Sequence, residues 1–204
     1  MSAHAALPEK LQARLSFGRE AIDPSVVNTA LKASGIEDYT GLWKVGMDVT
    51  YPVIDMLELG IHYGHDFASG SALSTAASSS YTTSISQDVL GVVARVPIVK
   101  TSIFRFDVFG MYGAAAMTKL SITGASQDGE LSAKWPMMSA FGGSIGFGYS
   151  GFYIFVEGGQ SSNKIDSFDR SGTINSSIQS LDLSGTYVSI GLMIDGTKNG
   201  ITTR

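Results

Sequence analysis

Gly142, Ser144 and Gly146 spell G-x-S-x-G, the spacing that lifts a nucleophilic serine onto a strand-turn-helix elbow. Gly146, Gly148 and Gly151 overlap it as G-x-G-x-x-G, which cradles a dinucleotide phosphate where a strand gives way to a helix. Both chemistries need a helix after the glycines, but the residues that follow, "FYIFVEG", alternate as a strand. Neither motif carries its chemistry here. "HYGH" brings His62 and His65 within three positions, yet residues three apart in a strand point to opposite faces and cannot share a metal. The chain has no cysteine, and its third histidine, His4, is not clustered with these two, so zinc ligation has no support.

The charges make a better constellation. Arg14, Lys44, Asp48, Glu58, His62, Arg95, Arg105, Asp107 and Glu157 all sit on the strand parity that is otherwise glycine, alanine and serine. Most fall at similar depth, with Lys44 and His62 farther out. A lone buried charge is heavily penalised whereas a hydrogen-bonded pair persists, so interior ion pairs are expected. Arg14 with Asp48 and Glu58 with Arg95, on neighbouring strands, are the expected pairs. Such a cluster either fills a narrow lumen as a plug or forms a polar gate, giving a non-conducting or weakly conducting interior.

These residues need strands to hold them, and period-2 alternation recurs throughout. "LQARLSFG", "LWKVGMDVTY" and "LELGIHYGHDF" each oppose an apolar face to a small or charged one. Further runs lie near 88–98, 103–117, 137–149, 152–160 and 182–195. The alternation predicts about eight strands of roughly ten residues, the length a tilted strand needs to cross a bilayer. Links alternate strictly between short ("PVID", "VKT", "SG") and long (about 20–40, 68–86, 118–136 and 161–181). In "FGGSIGFGYSGFYIFVEGG" (141–159) one face is apolar and the other mostly glycine, unlike a soluble sheet, whose outer face must be solvated. The apolar face is therefore read as lipid-facing: Trp43, Val45, Leu59, Ile61, Phe104, Phe106, Ile145, Phe147, Ile154, Ile190 and Leu192. Aromatics such as Tyr51, Tyr63, Tyr149 and Phe152 near strand ends fit interfacial girdles.

The fold class is thus all-β: a closed antiparallel up-and-down eight-stranded transmembrane β-barrel with short periplasmic turns and long extracellular loops. Closure follows because an open sheet edge in hydrocarbon leaves unpaired backbone groups. About eight strands enclose an interior just wide enough for side chains to fill. Residues 10–196 are the barrel, 1–9 a periplasmic N-terminal segment and 197–204 a periplasmic tail.

Composition agrees. Charged residues are 16% of the 204, against roughly 25% in soluble domains. A net charge of −4 argues against a nucleic-acid partner. The N-terminus lacks a charged and then apolar signal, so it is read as a mature chain with an added Met1. In the first long link, Asp23-Pro24 reads as a helix start and Gly35 as a stop, predicting a helix over about 24–34. The second, Ser-rich link has little to order it and is expected to be mobile.

The alternating strands, the short turns such as that in "YPVIDMLELGIHYGHDF" and the Gly-aromatic final hairpin resemble the small eight-stranded outer-membrane proteins: the OmpA transmembrane domain, OmpX and the opacity proteins. The resemblance covers about residues 10–196. It implies the bacterial outer membrane, folding by the barrel-assembly machinery, no cofactor and surface loops for envelope-structural or adhesion roles. An interior salt-bridge network is also implied. Ser189, Gly191 and Ile194 match the family's assembly signal, but "GTKNGITTR" follows where a terminal aromatic is expected. Partners are then membrane lipids, the assembly machinery and an extracellular ligand, the chain being a monomer. Alternatives are a lipid-modifying barrel enzyme using His65, a transporter of small apolar solutes, and a soluble lipocalin-like binding barrel.

Overall fold

The computed structural model describes residues 10–33, 38–74, 79–124, 127–172 and 178–196. Its elements are β1 (Gln12–Ile22), α1 (Ser25–Ala33), β2 (Gly41–Ile54), β3 (Leu57–Ser74), β4 (Ser79–Lys100), β5 (Phe104–Gly124), β6 (Gln127–Ala133), β7 (Met137–Tyr149), β8 (Phe152–Ile165), β9 (Asp169–Gly172), β10 (Leu181–Asp182) and β11 (Gly185–Asp195). Eight of the strands close a barrel in the order β1-β2-β3-β4-β5-β7-β8-β11, every pair antiparallel. The ring shuts where β1 meets β11, from Gln12 opposite Asp195 to Ile22 opposite Gly185. No helix among the described residues is long and apolar enough to cross a membrane.

Short turns gather at one end. The tightest joins β7 to β8 through Ser150 and Gly151, whose φ angles of 53° and 88° match the left-handed pair required by a two-residue type I′ hairpin. At the other end the strands continue well past the expected limits. β3 and β4 remain in register from Glu58 opposite Arg95 to Ser74 opposite Ser79, so most of the link expected to be mobile is a paired hairpin. β5 likewise runs to Gly124 and pairs with β6. Ser, Thr and Ala still alternate with Ile85, Leu120 and Leu131 in these stretches, which sustains the ladder. Residues 75–78 lie outside the described set, as do segments 1–9 and 197–204.

Along β1, β3, β4, β5 and β8, which continue past the belt, the two faces trade character. On β4, Leu90, Val92 and Ile98 point outward and are exposed, while toward the long-loop end the outward residues become Ser84, Ser86 and Asp88. The inward residues change in the opposite sense, from Arg95 to Ile85. Exposed apolar side chains therefore form a belt around all eight staves, with Ile61 64% and Phe147 65% exposed. Beyond it lies an ordinary apolar core of Ile22, Leu42, Ile85, Leu120, Leu131 and Ile165. A belt on this scale is unlike a monomeric soluble protein, which rarely exposes an apolar patch larger than a few hundred Å².

Helix α1 caps that core. Pro24 accepts the first helical hydrogen bond, from Asn28 at 2.9 Å, and its ring suits the first turn because proline has no N–H to lose there. Val27 and Leu31, four apart on one face, are buried against Tyr39 and Leu42. Asn28 pins the returning chain, its amide donating to the Tyr39 carbonyl and its oxygen accepting from the Tyr39 N–H, both at 2.9 Å. The helix falls within the expected 24–34, and the expected stop at Gly35 lies outside the described residues.

Candidate functional site

The lumen is filled by tiers of paired charge. Nearest the short turns, Arg105 reaches Glu58 at 2.5 Å, Asp107 at 2.6 Å and Gln12 at 2.9 Å. Lys100 lies 3.1 Å from Asp195. One tier out, Arg14 pairs with Asp107 and donates to Ser144 at 3.1 Å. In the next, Arg95 bridges Asp48 and Glu157, the latter at 2.8 Å, and His62 Nδ1 is 2.6 Å from Asp48. The last tier holds Lys44 between Glu20 at 2.5 Å and Asp66 at 3.1 Å, with Ser161 on Glu20 and a Gln87–Asn163 relay on Asp66.

Aromatic rings wall the cations in. Arg14 lies 5.1 Å from the Phe155 ring centre and Arg95 4.6 Å from that of Phe109, within the reach of a cation–π contact. Phe155 can approach because residue 191 is glycine: a Cβ there would sit 2.5 Å from the Phe155 ring. A cavity of about 40 Å³ remains beside Arg14, His62 and Glu157, room for a few waters. The apolar cap closes the column at its outer end.

The nine charges singled out in the sequence all face this lumen, but neither expected pair forms. Arg14 and Asp48 are directly opposite on β1 and β2, as are Glu58 and Arg95 on β3 and β4. Directly opposite Cβ atoms are only about 5 Å apart, so an extended arginine overshoots its neighbour. In a barrel this narrow it crosses instead: Arg14 to β5, Arg95 to β2 and β8, Arg105 to β3. Gln12, Glu20, Asp66, Lys100, Ser144 and Asp195 also join the network. All but Lys100, at the β4–β5 turn, share the inward parity and could have been found by extending each alternation to its strand's end.

On the outer face sit Trp43, Val45, Leu59, Ile61, Phe104, Phe106, Ile145, Phe147, Ile154, Ile190 and Leu192, with Phe104 and Phe106 half-buried. Phe17 stacks on Trp43 at 5.3 Å and Arg19 covers the same indole. His65 lies outside, at the edge of the belt, its Nδ1 2.9 Å from Asp88, while the Tyr63 hydroxyl donates to Asp88 at 3.2 Å. His62 and His65 face opposite sides of the wall. Ser144 lies within β7, bonded to Arg14 and Asp107, without an elbow. No cluster of three or more His, Asp or Glu suited to a metal occurs among the described residues.

No protein-family model matches the sequence, and no curated protein matches it. Solved structures do resemble the fold. Neisserial surface protein A superposes with a TM-score of 0.57 at 8% identity, covering 92% of this chain and 97% of that one. Ail, the attachment invasion locus protein of Yersinia pestis, gives 0.49 at 11% identity over 92% and 100% of the two chains. The N-terminal β-barrel domain of Pseudomonas aeruginosa OprF gives 0.46 at 10% over 91% and 97%. The likeness to Neisserial surface protein A shows the fold, and the chain has the closed eight-stranded antiparallel barrel of a small outer-membrane protein.

Proposed function

We propose that the protein is an integral, non-enzymatic and non-conducting barrel of a bacterial outer membrane that displays an ordered extracellular end for surface interaction. The observation that carries this reading is the exchange of faces along β1, β3, β4, β5 and β8: apolar outward in the belt, apolar inward beyond it. Only a chain that meets hydrocarbon at one height and water at another needs that exchange. The short turns and both termini then lie on the periplasmic side, with 1–9 and 197–204 as periplasmic extensions of a barrel over 10–196. Ser189, Gly191 and Ile194 serve the assembly machinery, and the barrel works as a monomer among lipids.

Four tiers of ion pairs under an apolar cap support the non-conducting reading. In planar bilayers the reconstituted protein is expected to give no stable channel steps, and its surface display should raise cell attachment above that of a strain lacking it. Stable ohmic steps would overturn the plug reading, and unchanged attachment the interaction reading. One observation favours a second reading, lipid modification: the Asp88 carboxylate orients His65 at the belt's edge, as a partner orients a general base. No hydroxyl is held against His65 among the described residues. Turnover of labelled lipid A that disappears in His65→Ala would establish this alternative.

A further inference from the structure

The extracellular wall has a seam. β7 begins at Met137, and its outermost pairing with β8 is Met138 opposite Asn163, while β8 continues to Ile165. Beyond that height β6 takes the place of β7 beside β5, and β6 pairs on its other side with β9 rather than β8. Between β6 and β8 opens a groove of about 500 Å³, lined by 132–137 and 164–169. That volume falls within the roughly 300–1,000 Å³ of small-molecule sites.

Trp135 stands at its mouth, 59% exposed, in a left-handed conformation with φ 61°. An aromatic residue there is an outlier and persists only where its surroundings over-determine it. Ala115 does so: its carbonyl accepts the Trp135 N–H at 2.8 Å, and its N–H donates to the Pro136 carbonyl at 2.9 Å. The floor is apolar, with Ala133 and Ile165 buried and Phe168 packed against the cap core. The rim is mixed. Lys134 and Lys164 are matched by Asp166 and Asp169, and Asp182 lies 3.6 Å from Lys164.

We propose that this groove binds a neutral carbohydrate. A pyranose has an apolar C–H face and a polar edge, and the groove offers a surface to each. Trp135 and Phe168 supply flat apolar area, while lysine donors and carboxylate acceptors interleave around them to serve hydroxyl groups that both donate and accept. Anionic phosphate or sulfate groups are recognised by an excess of cationic donors, which this balanced rim lacks. The inference rests on the reading above that this end faces the exterior.

The full chain, refolded in detergent, is applied to immobilised neutral, sulfated, sialylated and phosphorylated glycans, beside vesicles of phosphatidylglycerol. Retention on neutral glycans is expected, falling about tenfold or more in Trp135→Ala, as when an aromatic anchor is truncated, and in Phe168→Ala. Asp166→Asn should shift preference toward acidic glycans. Retention only on acidic glycans or vesicles, none on any glycan, or binding unchanged in Trp135→Ala would each overturn the proposal. Gel mobility of the same samples, boiled and unboiled, reports whether the barrel has formed. Cell attachment that persists without glycan retention would remove the carbohydrate and leave the surface role standing.

Discussion

Arg95 concentrates the interior chemistry in one side chain. It faces Asp48 and Glu157 and lies over Phe109, in a tier that His62 completes. Removing it leaves two buried carboxylates without their shared cation, a loss that costs about 3–5 kcal/mol for a buried pair. Arg95→Ala is therefore expected to lower stability in urea by that amount, while Arg19→Ala, on the outer surface, should change it little. At the cap, burial pushes the Tyr39 phenol from 10.0 up to about 12, with a hydrogen bond to Thr83 pulling the other way. A folded pKa above the unfolded one means the stability is fully present below pH 10 and lost as pH rises through about 12. Spectroscopic titration of tyrosinate should show a late-ionising component near pH 12 that is lost in Tyr39→Phe, with the cap loosening over the same interval. Which charges face inward was legible from parity alone. Their partners were not, because parity gives a face, whereas the pairing depends on how far an arginine reaches across a lumen whose width no single strand encodes.

At the scale of the strand, β4 holds the test within one element. Val92 and Thr82 both point outward and are exposed, ten positions apart, on opposite sides of the level where the faces exchange. A lysine near mid-bilayer on a barrel's lipid face costs about 2–4 kcal/mol. Val92→Lys is expected to lose that much in vesicle refolding, Phe147→Lys, beside the short turn after β7, less, and Thr82→Lys almost nothing. Equal costs at Val92 and Thr82 would place both in the same medium. The strands of the belt were legible because apolar and small residues alternate there without interruption. Their outer continuations were not: once Ser and Thr occupy the outward positions and Ile85 or Leu120 the inward ones, the polar face resembles a loop to any reading that follows hydrophobicity. The short helix was legible because Asp23-Pro24 marks its start and Val27 and Leu31 its buried face.

For the whole molecule, closure makes the rest possible. The β1–β11 ladder pairs the last edge, so the belt has no open sheet edge, and the polar interior is filled by paired side chains. Alternating short and long links made this up-and-down topology readable, since each stave had only its sequence neighbours to pair with. The groove between β6 and β8 was not readable, because it arises where one stave ends and another takes its place. All of this depends on the apolar face meeting lipid. Trp43, 43% exposed on the outer rim of the belt, can report on that directly once Trp135 is replaced by phenylalanine. In vesicles of chain-brominated lipids, Trp43 emission should be strongly quenched, most by bromine carried near the headgroup. Emission that ignores the bromine position, from a protein folded and monodisperse without detergent, would contradict the account and make the belt a surface covered by something other than lipid.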